Sequence, residues 1–388
     1  MFTPADHSPS TPNPGNGRKI LVVGGGIAGL TTANALAGGG HTVRVVELEP
    51  TWPTVGWGLS LTGPALRALD RLGLADQCVA AGFRVDSVHN CDRDSALLVD
   101  QPMPKLLGPD RAAQAGIRRP VLREILRERA ASAGVELRSG LTVAALDEGP
   151  GRVRVALTDG SSDDYDLVVG ADGVRSALRT TIGVPAAPRY TGQMVWRARV
   201  RRPGWADVIT TVAHNGVNAG LIPISSDEAY VFHTENTAEP TPLPDDRLAD
   251  LMRQRLATFR GRFAEVVAAI VDPAQVVRRP VHVVMAEAPW HRGRVVLIGD
   301  AVHAPSPQLI SGAALAIEDA VLLAEVLGPS FADEDLPTLL DKFAARRYAR
   351  CAAVVDASLR MSAEERAGRH AEAHGVQGEA FRALAAPA

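Results

Sequence analysis

The stretch Arg18 to Glu49, RKILVVGGGIAGLTTANALAGGGHTVRVVELE, constrains this chain more than any other. Lys19 to Val23 reads as a buried parallel strand, short, mostly β-branched and followed at once by glycine. Gly24-Gly25-Gly26-Ile27-Ala28-Gly29 then spells G-x-G-x-x-G, and helix formers run from Leu30 to Ala37. Gly38 to Gly40 stop that helix, and Thr42 to Val46 reads as a second strand ending on Glu47, 18 residues past Gly29. Gly24 permits a tight turn off the strand, Gly26 lets backbone approach a pyrophosphate, and Gly29 lets the helix pack on the sheet. Unpaired N–H groups at the helix start attract phosphate. The Glu47 carboxylate can take a ribose 2′-hydroxyl and would repel a 2′-phosphate. Strand, loop, helix, second strand and acid in one register predict an adenine dinucleotide, NAD or FAD, over a glycine turn with a purely structural role.

The 388 residues are enough for two or more domains, and 46% hydrophobic with 22% charged residues fits a soluble globular protein with a sizeable core. A net charge of −3, with acids interleaved among the arginines, leaves no basic stripe and excludes a nucleic-acid footprint. Cys78, Cys91 and Cys351 have neither metal nor redox spacing, so free thiols in a reducing compartment are expected. No signal peptide precedes the first strand and no apolar run is long enough to span a membrane, which predicts a cytoplasmic protein without membrane contact.

Along the chain, residues 1–17 are rich in Pro, Ser, Asn and Gly and read as a flexible tail. Arg118 to Ala133 is the clearest amphipathic helix, with Val121, Leu122, Ile125 and Leu126 as its stripe. Val153, Val155 and Leu157 alternate with polar and small residues up to Thr158-Asp159-Gly160, as in one arm of a surface hairpin. Gln193–Arg201, Val208–Ala213, Asn218–Ile224 and Ala229–Thr234 follow one another without a helix, which predicts an antiparallel meander distinct from the parallel sheet. Arg294 to Ile298 returns to a buried parallel strand, and Leu336 to His370 reads as charged amphipathic helix with its charges on a solvated face.

A second constellation lies in RVVLIGDAVHAPSPQLISGAALAIEDA, Arg294 to Ala320. A strand ends at Gly299-Asp300, and a proline-broken loop leads to a helix starting near Gly312. The acid can hold a sugar-like hydroxyl, and the N–H groups of Ala313 and Ala314 stabilise negative charge. An NAD enzyme needs neither. FAD, with a ribityl chain and a ring that is anionic when reduced, needs both.

GGGIAGL with Glu47, then VVGADGVRSALR (Val168 to Arg179), then GRVVLIGDAVHAPSP…GAALAIEDA resemble the three fingerprints of the class A flavin-dependent aromatic hydroxylases, the p-hydroxybenzoate hydroxylase family. They stand in the family's order and spacing, and the resemblance covers Arg18 to His370. It implies an α/β fold: a discontinuous Rossmann-like FAD-binding domain (18–83, 106–181, 286–330), an inserted antiparallel-sheet substrate domain (84–105, 182–285), and C-terminal helices and tail (331–388). It also implies that Gly24, Gly26, Ile27 and Ala28 contact the FAD pyrophosphate and Glu47 the adenosine ribose. Arg119 reaches the cofactor from its helix start, Val143 lies by the adenine, and Asp172 and Gly173 lie near the pyrophosphate. Asp300 binds the ribityl chain, while Pro307, Gly312, Ala313 and Ala314 lie beside the isoalloxazine. Two departures stand out: Ile310-Ser311 replaces the family's Gly-Gln, and Thr54 and Val55 replace an arginine before Gly56.

In this family NADPH or NADH reduces FAD, O2 adds to the reduced flavin, and the hydroperoxide transfers OH to an electron-rich ring. The absence of a second G-x-G-x-x-G fits transient NAD(P)H docking. Candidate substrate residues are Arg197, His214 and Asn218, with Tyr230 and His233 also on the meander; Arg197 and Asn218 match positions facing flavin and substrate in relatives. The residues do not identify a catalytic base or a metal site, and oligomeric state stays open. His303 is expected to hydrogen-bond its loop and Trp196 to pack in a core. The expected substrate is a moderately large, apolar phenol or heteroaromatic. Alternatives are a related FAD reductase or halogenase, although the halogenase Trp-x-Trp-x-Ile-Pro is absent, and a non-catalytic FAD- or ligand-binding protein.

Overall fold

The apolar run before the glycine loop forms the strand Lys19–Val23, in the middle of a six-stranded sheet. The structure is a computed structural model and describes residues 17–52, 57–333 and 335–388, apart from the side chains of residues 370, 371 and 374. Residues 1–16 and the Thr54-Val55 departure lie outside the described residues. Edge to edge, the sheet runs His291–Arg292, Val295–Leu297, Leu167–Gly170, Lys19–Val23, Thr42–Glu47, Glu136–Ser139. Its pairs are parallel except at His291–Arg292. Ile20 to Val23 and Leu167 to Gly170 are buried throughout, as strands covered on both faces must be. The helix Ile27–Gly38 packs against this sheet, and Arg119–Ser132 and Gly312–Leu327 pack on that helix. Arg152–Leu157 is the central strand of a three-stranded antiparallel sheet rather than one arm of a two-stranded hairpin. Its alternation is met by burying Val153, Val155 and Leu157 in the main core.

A second, eight-stranded sheet runs His303–Ala304, Val276–Met285, Arg189–Arg201, Glu228–Asn236, Val217–Pro223, Ile209–His214, Ser87–Cys91, Leu97–Pro102. The predicted meander is its middle, and its pairs are antiparallel except where Ser87–Cys91 joins Ile209–His214. That strand arrives from a distant part of the chain, so no tight hairpin dictates its direction. Side chains alternate across the sheet. Trp196, Ala198, Val200, Ala219, Leu221, Ala229 and Val231 face the helices Leu248–Leu256 and Gly261–Ala268 and share a core with Met252, Leu256 and Phe263. The opposite face abuts a small antiparallel sheet, Gly58–Leu61, Gln114–Arg118, Phe83–Val85. A Cβ on Gly58 would strike Ile224 and Tyr230, and one on Gly116 would stand 1.8 Å from the Pro223 carbonyl oxygen.

The long helix Leu336–Arg366 exposes Asp341, Lys342, Arg346, Asp356, Arg360 and Arg366, as a solvated charged face requires, but its buried side is not purely apolar. Arg347, Ser358, Ser362 and Glu365 are buried along with Leu340, Phe343 and Val354. A further helix, His370–Ala385, packs on it. Among the described residues no helix is long and apolar enough to cross a membrane.

Candidate functional site

The glycine loop divides into two positions that the protein's own packing fixes and one that it does not. Gly24 has φ +109°, and a Cβ there would stand 2.3 Å from the Ala171 carbonyl oxygen. On Gly29 it would stand 1.8 Å from the Gly24 carbonyl oxygen, so helix and strand meet only through glycine. A Cβ on Gly26 would meet nothing within 4 Å. The space before it is open, and the helix beginning at Ile27 has no side-chain cap and no acid in its first turn. The N–H groups of Ile27 and Ala28 therefore present an uncompensated positive end.

Glu47 closes this end of the cleft. Its Oε2 accepts the Gly25 N–H at 2.7 Å and its Oε1 the Glu49 N–H at 2.9 Å. Val143, half-buried, opens a strand two residues beyond Leu141, whose N–H donates to the Glu47 carbonyl. Asp172 Oδ2 accepts the Leu178 N–H at 3.0 Å, while its Oδ1 is buried without a partner. The sequence reading missed Arg123. It donates from Nη2 to the Gly25 carbonyl at 3.2 Å, lies 5.8 Å over the Trp52 ring, and leaves Nε buried and unpaired. Burial lowers its pKa, with the Glu47 charge opposing. The available signal was spacing: Arg123 is one helical turn after Arg119 and on the same face. A second missed group is Gln114, whose Oε1 accepts from Ser60 while Nε2 is buried without a partner.

Asp300 marks the middle of the cleft. Its side chain is exposed, yet desolvation raises its pKa, with Arg119 and then His303 opposing. Both hold for a carboxylate on the floor of a narrow cleft, reached by water but surrounded mainly by protein. Its turn is fixed from behind by a buried network. Asp319 Oδ2 accepts the Gly299 N–H at 2.8 Å and meets His303 Nε2 at 2.6 Å, and its Oδ1 accepts from Arg347 Nε at 2.7 Å. Burial alone would neutralise His303, but Asp319 outweighs it and holds the imidazole well above its ordinary pKa. Burial likewise opposes ionisation of Asp319, and the His303 and Arg347 charges bring it down to about 2. His303, Asp319 and Cys351 are close enough to resemble a metal trio. The Arg347 guanidinium already fills the cation's place. His303 thus bonds the helix that holds the turn, not its own loop.

The helix Gly312–Leu327 begins as the first one does, without a side-chain cap or an acid in its first turn. Ser311, at its cap position, donates from Oγ to the Leu309 carbonyl instead. The N–H groups of Gly312, Ala313 and Ala314 are left for a ligand. Pro307 opens the short turn Pro307–Leu309, which ends at Ile310 with φ 53° and ψ 24°. A β-branched residue in the left-handed region costs about 1–2 kcal/mol, a strain that the family's glycine at this place avoids.

On the inserted sheet, Arg197, Asn218 and Tyr230 share the face opposite the helix-packed core. Arg197 is half-buried; desolvation lowers its pKa, Tyr230 opposes and Arg119 adds to the lowering. Burial pushes the Tyr230 phenol up to about 12, against the Arg197 charge. Arg119, exposed at its helix start, is thus the common neighbour of Asp300 and Arg197. His214 does not join them. It pairs across the hairpin with Val217 on the helix side, and its Nε2 meets Arg93 Nη1 at 3.3 Å. His233 also faces that side, with Nδ1 2.8 Å from the Asn218 carbonyl oxygen. Trp196 is fully buried in the helix-side core.

The cleft thus offers two uncapped helix starts for anionic groups, two carboxylates set apart for sugar-like hydroxyls, open space at Gly26, and orphaned polar atoms on Asp172, Arg123 and Gln114 around it. This donor set fits FAD. The FAD binding domain family model matches residues 18–358. The chain is 34% identical over 314 residues to the 2-heptyl-3-hydroxy-4(1H)-quinolone synthase of Pseudomonas aeruginosa, covering 79% of this chain and 80% of that protein. It is 30% identical over 353 residues to the aurachin C monooxygenase/isomerase of Stigmatella aurantiaca, covering 89% of each. Among solved structures, Klebsiella pneumoniae HpxO complexed with FAD and uric acid matches with a TM-score of 0.79 at 26% identity, over 95% of this chain and 92% of that one. The chain belongs to the FAD binding domain family, as a class A FAD-dependent monooxygenase.

Proposed function

We propose that this enzyme inserts one atom of O2 into a phenolic or heteroaromatic metabolite. The balance is substrate–H + O2 + NAD(P)H + H⁺ giving substrate–OH + NAD(P)⁺ + H2O. FAD, when bound, supplies the redox chemistry. What supports the reading is the pair of uncapped helix starts at Ile27 and Gly312, the open space before Gly26, and Arg119 as the common neighbour of Asp300 and Arg197.

In this reading Gly24, Gly26, Ile27 and Ala28 hold the pyrophosphate, with Asp172 and Arg123 beside it. Glu47 takes the adenosine ribose and Val143 borders the adenine. Arg119 and Asp300 hold the ribityl chain. Pro307 and the Gly312–Ala314 helix start flank the ring, where free N–H groups stabilise its negative charge. Arg197 and Asn218 orient the substrate, and Ile222, Ile224, Tyr230 and Phe232 keep that wall dry. His214, on the other face, drops out of the substrate set.

The test is oxidation of NADPH and NADH over a panel of phenols, 4-quinolones and polyketide-like aromatics, with product mass followed. Quinolones lead the panel because one relative is named for a 3-hydroxy-4-quinolone and covers most of this chain. The expected result is yellow protein that releases FAD, substrate-accelerated NAD(P)H oxidation and a gain of one oxygen. Turnover unchanged without O2 would mean a reductase, and tight ligand binding without NAD(P)H consumption a binding protein.

A further inference from the structure

The buried face of Leu336–Arg366 carries a polar seam where an apolar one would stabilise the helix more. Ser358, Ser362 and Glu365, spaced i, i+4 and i+7, lie on one side of it and are buried. Ser358 ties to the loop before Pro307, accepting the Ser306 N–H at 3.2 Å on Oγ and the Ser306 hydroxyl at 3.0 Å on its carbonyl. Ser362 donates at 2.6 Å to Gln193 Oε1, which also accepts from Gln308 Nε2 at 2.9 Å. At the end of the seam, Glu365 Oε1 accepts from Asn218 Nδ2 at 3.0 Å and Oε2 from Gln308 Nε2 at 3.3 Å. Asn218 lies on the sheet face that bears Arg197, and Gln308 is next to Pro307. Glu365 therefore stands where the proposed substrate wall meets the cofactor-side loop.

We propose that Glu365 is the proton acceptor of this site, taking the O–H or ring N–H proton of an acidic aromatic substrate held between Arg197 and Asn218. The substrate's O–H or N–H bond breaks, its electron pair stays on the heteroatom, and a new O–H bond forms on the carboxylate. No electron changes hands. The ring becomes richer in electrons, as attack on an electrophilic oxygen requires. The inference rests on the hydroxylase reading above.

The neighbours support the assignment. Among the described residues, the groups bonded to Glu365 are two neutral amides, so no cation locks it as an anion. Gln193 and Ser362 lie behind them. On its own helix, Arg366 donates instead to the Thr191 carbonyl, and Glu364 is paired with Arg369. Gln308 Oε1, beside it, is buried without a donor. Burial raises Glu365 to about 7, against the two amide bonds, and a base poised near neutral pH is the effective one. The competitors fail on position or chemistry. His233 faces the other side, burial pushes the Tyr230 phenol up to about 12 and keeps it protonated, and Arg197, already protonated, cannot accept a proton.

The experiment uses the FAD-loaded enzyme with 4-hydroxyquinoline, which has a removable proton, and 1-methyl-4-quinolone, which has none. The kcat/KM for 4-hydroxyquinoline should rise with pH through a pKa near 7. Glu365→Gln should abolish that limb and lower kcat/KM at pH 8 on the order of a hundredfold, with Glu365→Asp restoring the limb. For 1-methyl-4-quinolone, which has no proton to give up, the pH limb should be missing from the parent itself. Infrared difference spectra should show a protonated-carboxyl band lost between pH 6 and pH 8 in the parent and absent in Glu365→Gln. A limb that survives Glu365→Gln, or no titrating carboxyl band, overturns the proposal. Failure of the loaded parent to insert oxygen into either quinolone counts against the hydroxylase reading with these probes. The infrared titration with 4-hydroxyquinoline added then decides for Glu365 alone: a band that does not grow on binding overturns it.

Discussion

Gly26 and Gly29 stand three residues apart in one motif, yet they answer to different masters. At Gly29 a side chain strikes backbone, so Gly29→Val should fail to fold. At Gly26 it enters open space that the proposed pyrophosphate fills. Gly26→Val should therefore yield folded protein, judged by circular dichroism, with FAD affinity lowered by about 1–3 kcal/mol, the usual cost of overpacking. Fluorescence titration of released FAD measures it; parent-like affinity would remove the phosphate from that spot. Asp300→Ala tests the cleft floor independently. Losing hydrogen bonds to a charged group costs about 1.5–3 kcal/mol, so FAD should bind roughly ten- to a hundredfold more weakly.

Among the elements, the helix Leu336–Arg366 bears most on how the site is held. Arg347 joins Asp319 and Glu318, both buried, and Asp319 in turn holds the Gly299 turn that carries Asp300. Arg347→Met strips one partner from two buried carboxylates and should cost about 3–5 kcal/mol, read as a lowered unfolding midpoint together with weaker FAD retention. The pH dependence of this network has a definite sign. Asp319, depressed to about 2, contributes stability that is present above its ordinary pKa and lost as pH falls toward 2. His303, raised, contributes fully below its ordinary 6.5, and its share is lost only as pH rises through a folded value well above that. None of this was legible in the sequence, where the helix reads as charged and solvated. Its buried charges take their meaning from partners 28 and 29 residues away for Arg347 and 147 away for Glu365. By contrast, the glycine loop, Glu47 and the Gly299-Asp300 turn could be read directly, because each chemical demand is met within one short stretch. His214 shows the limit of such reading. It and Asn218 flank one tight turn, but Ala213, not His214, pairs with Asn218. That single step of register puts the two side chains on opposite faces.

For the whole molecule, the same long helix packs into the main core and ends against the inserted sheet, so its last turns join the two layers. Placing an unneutralised carboxylate at that junction costs stability, and the cost depends on pH. Burial raises Glu365 to about 7 in the folded protein, from the ordinary 4.5 of an unfolded chain. Between those values the folded chain binds more protons, so stability falls as pH rises from about 4.5 to 7 and levels off above. The gap corresponds to about 3 kcal/mol at full burial. Glu365→Gln keeps an amide in the same space without the ionisation. Its midpoint in urea should match the parent near pH 5 and exceed it at pH 8 by an amount equivalent to about 2–3 kcal/mol. Trp290, buried in the main core, and Trp196, buried behind the inserted sheet, report on the two layers in one fluorescence experiment. A variant that gains stability at pH 8 while losing turnover of a proton-bearing substrate has traded function for stability at one carboxylate. A variant no more stable than the parent at pH 8 would mean that Glu365 is ordinarily ionised in the fold, and the junction would then be a structural seam alone.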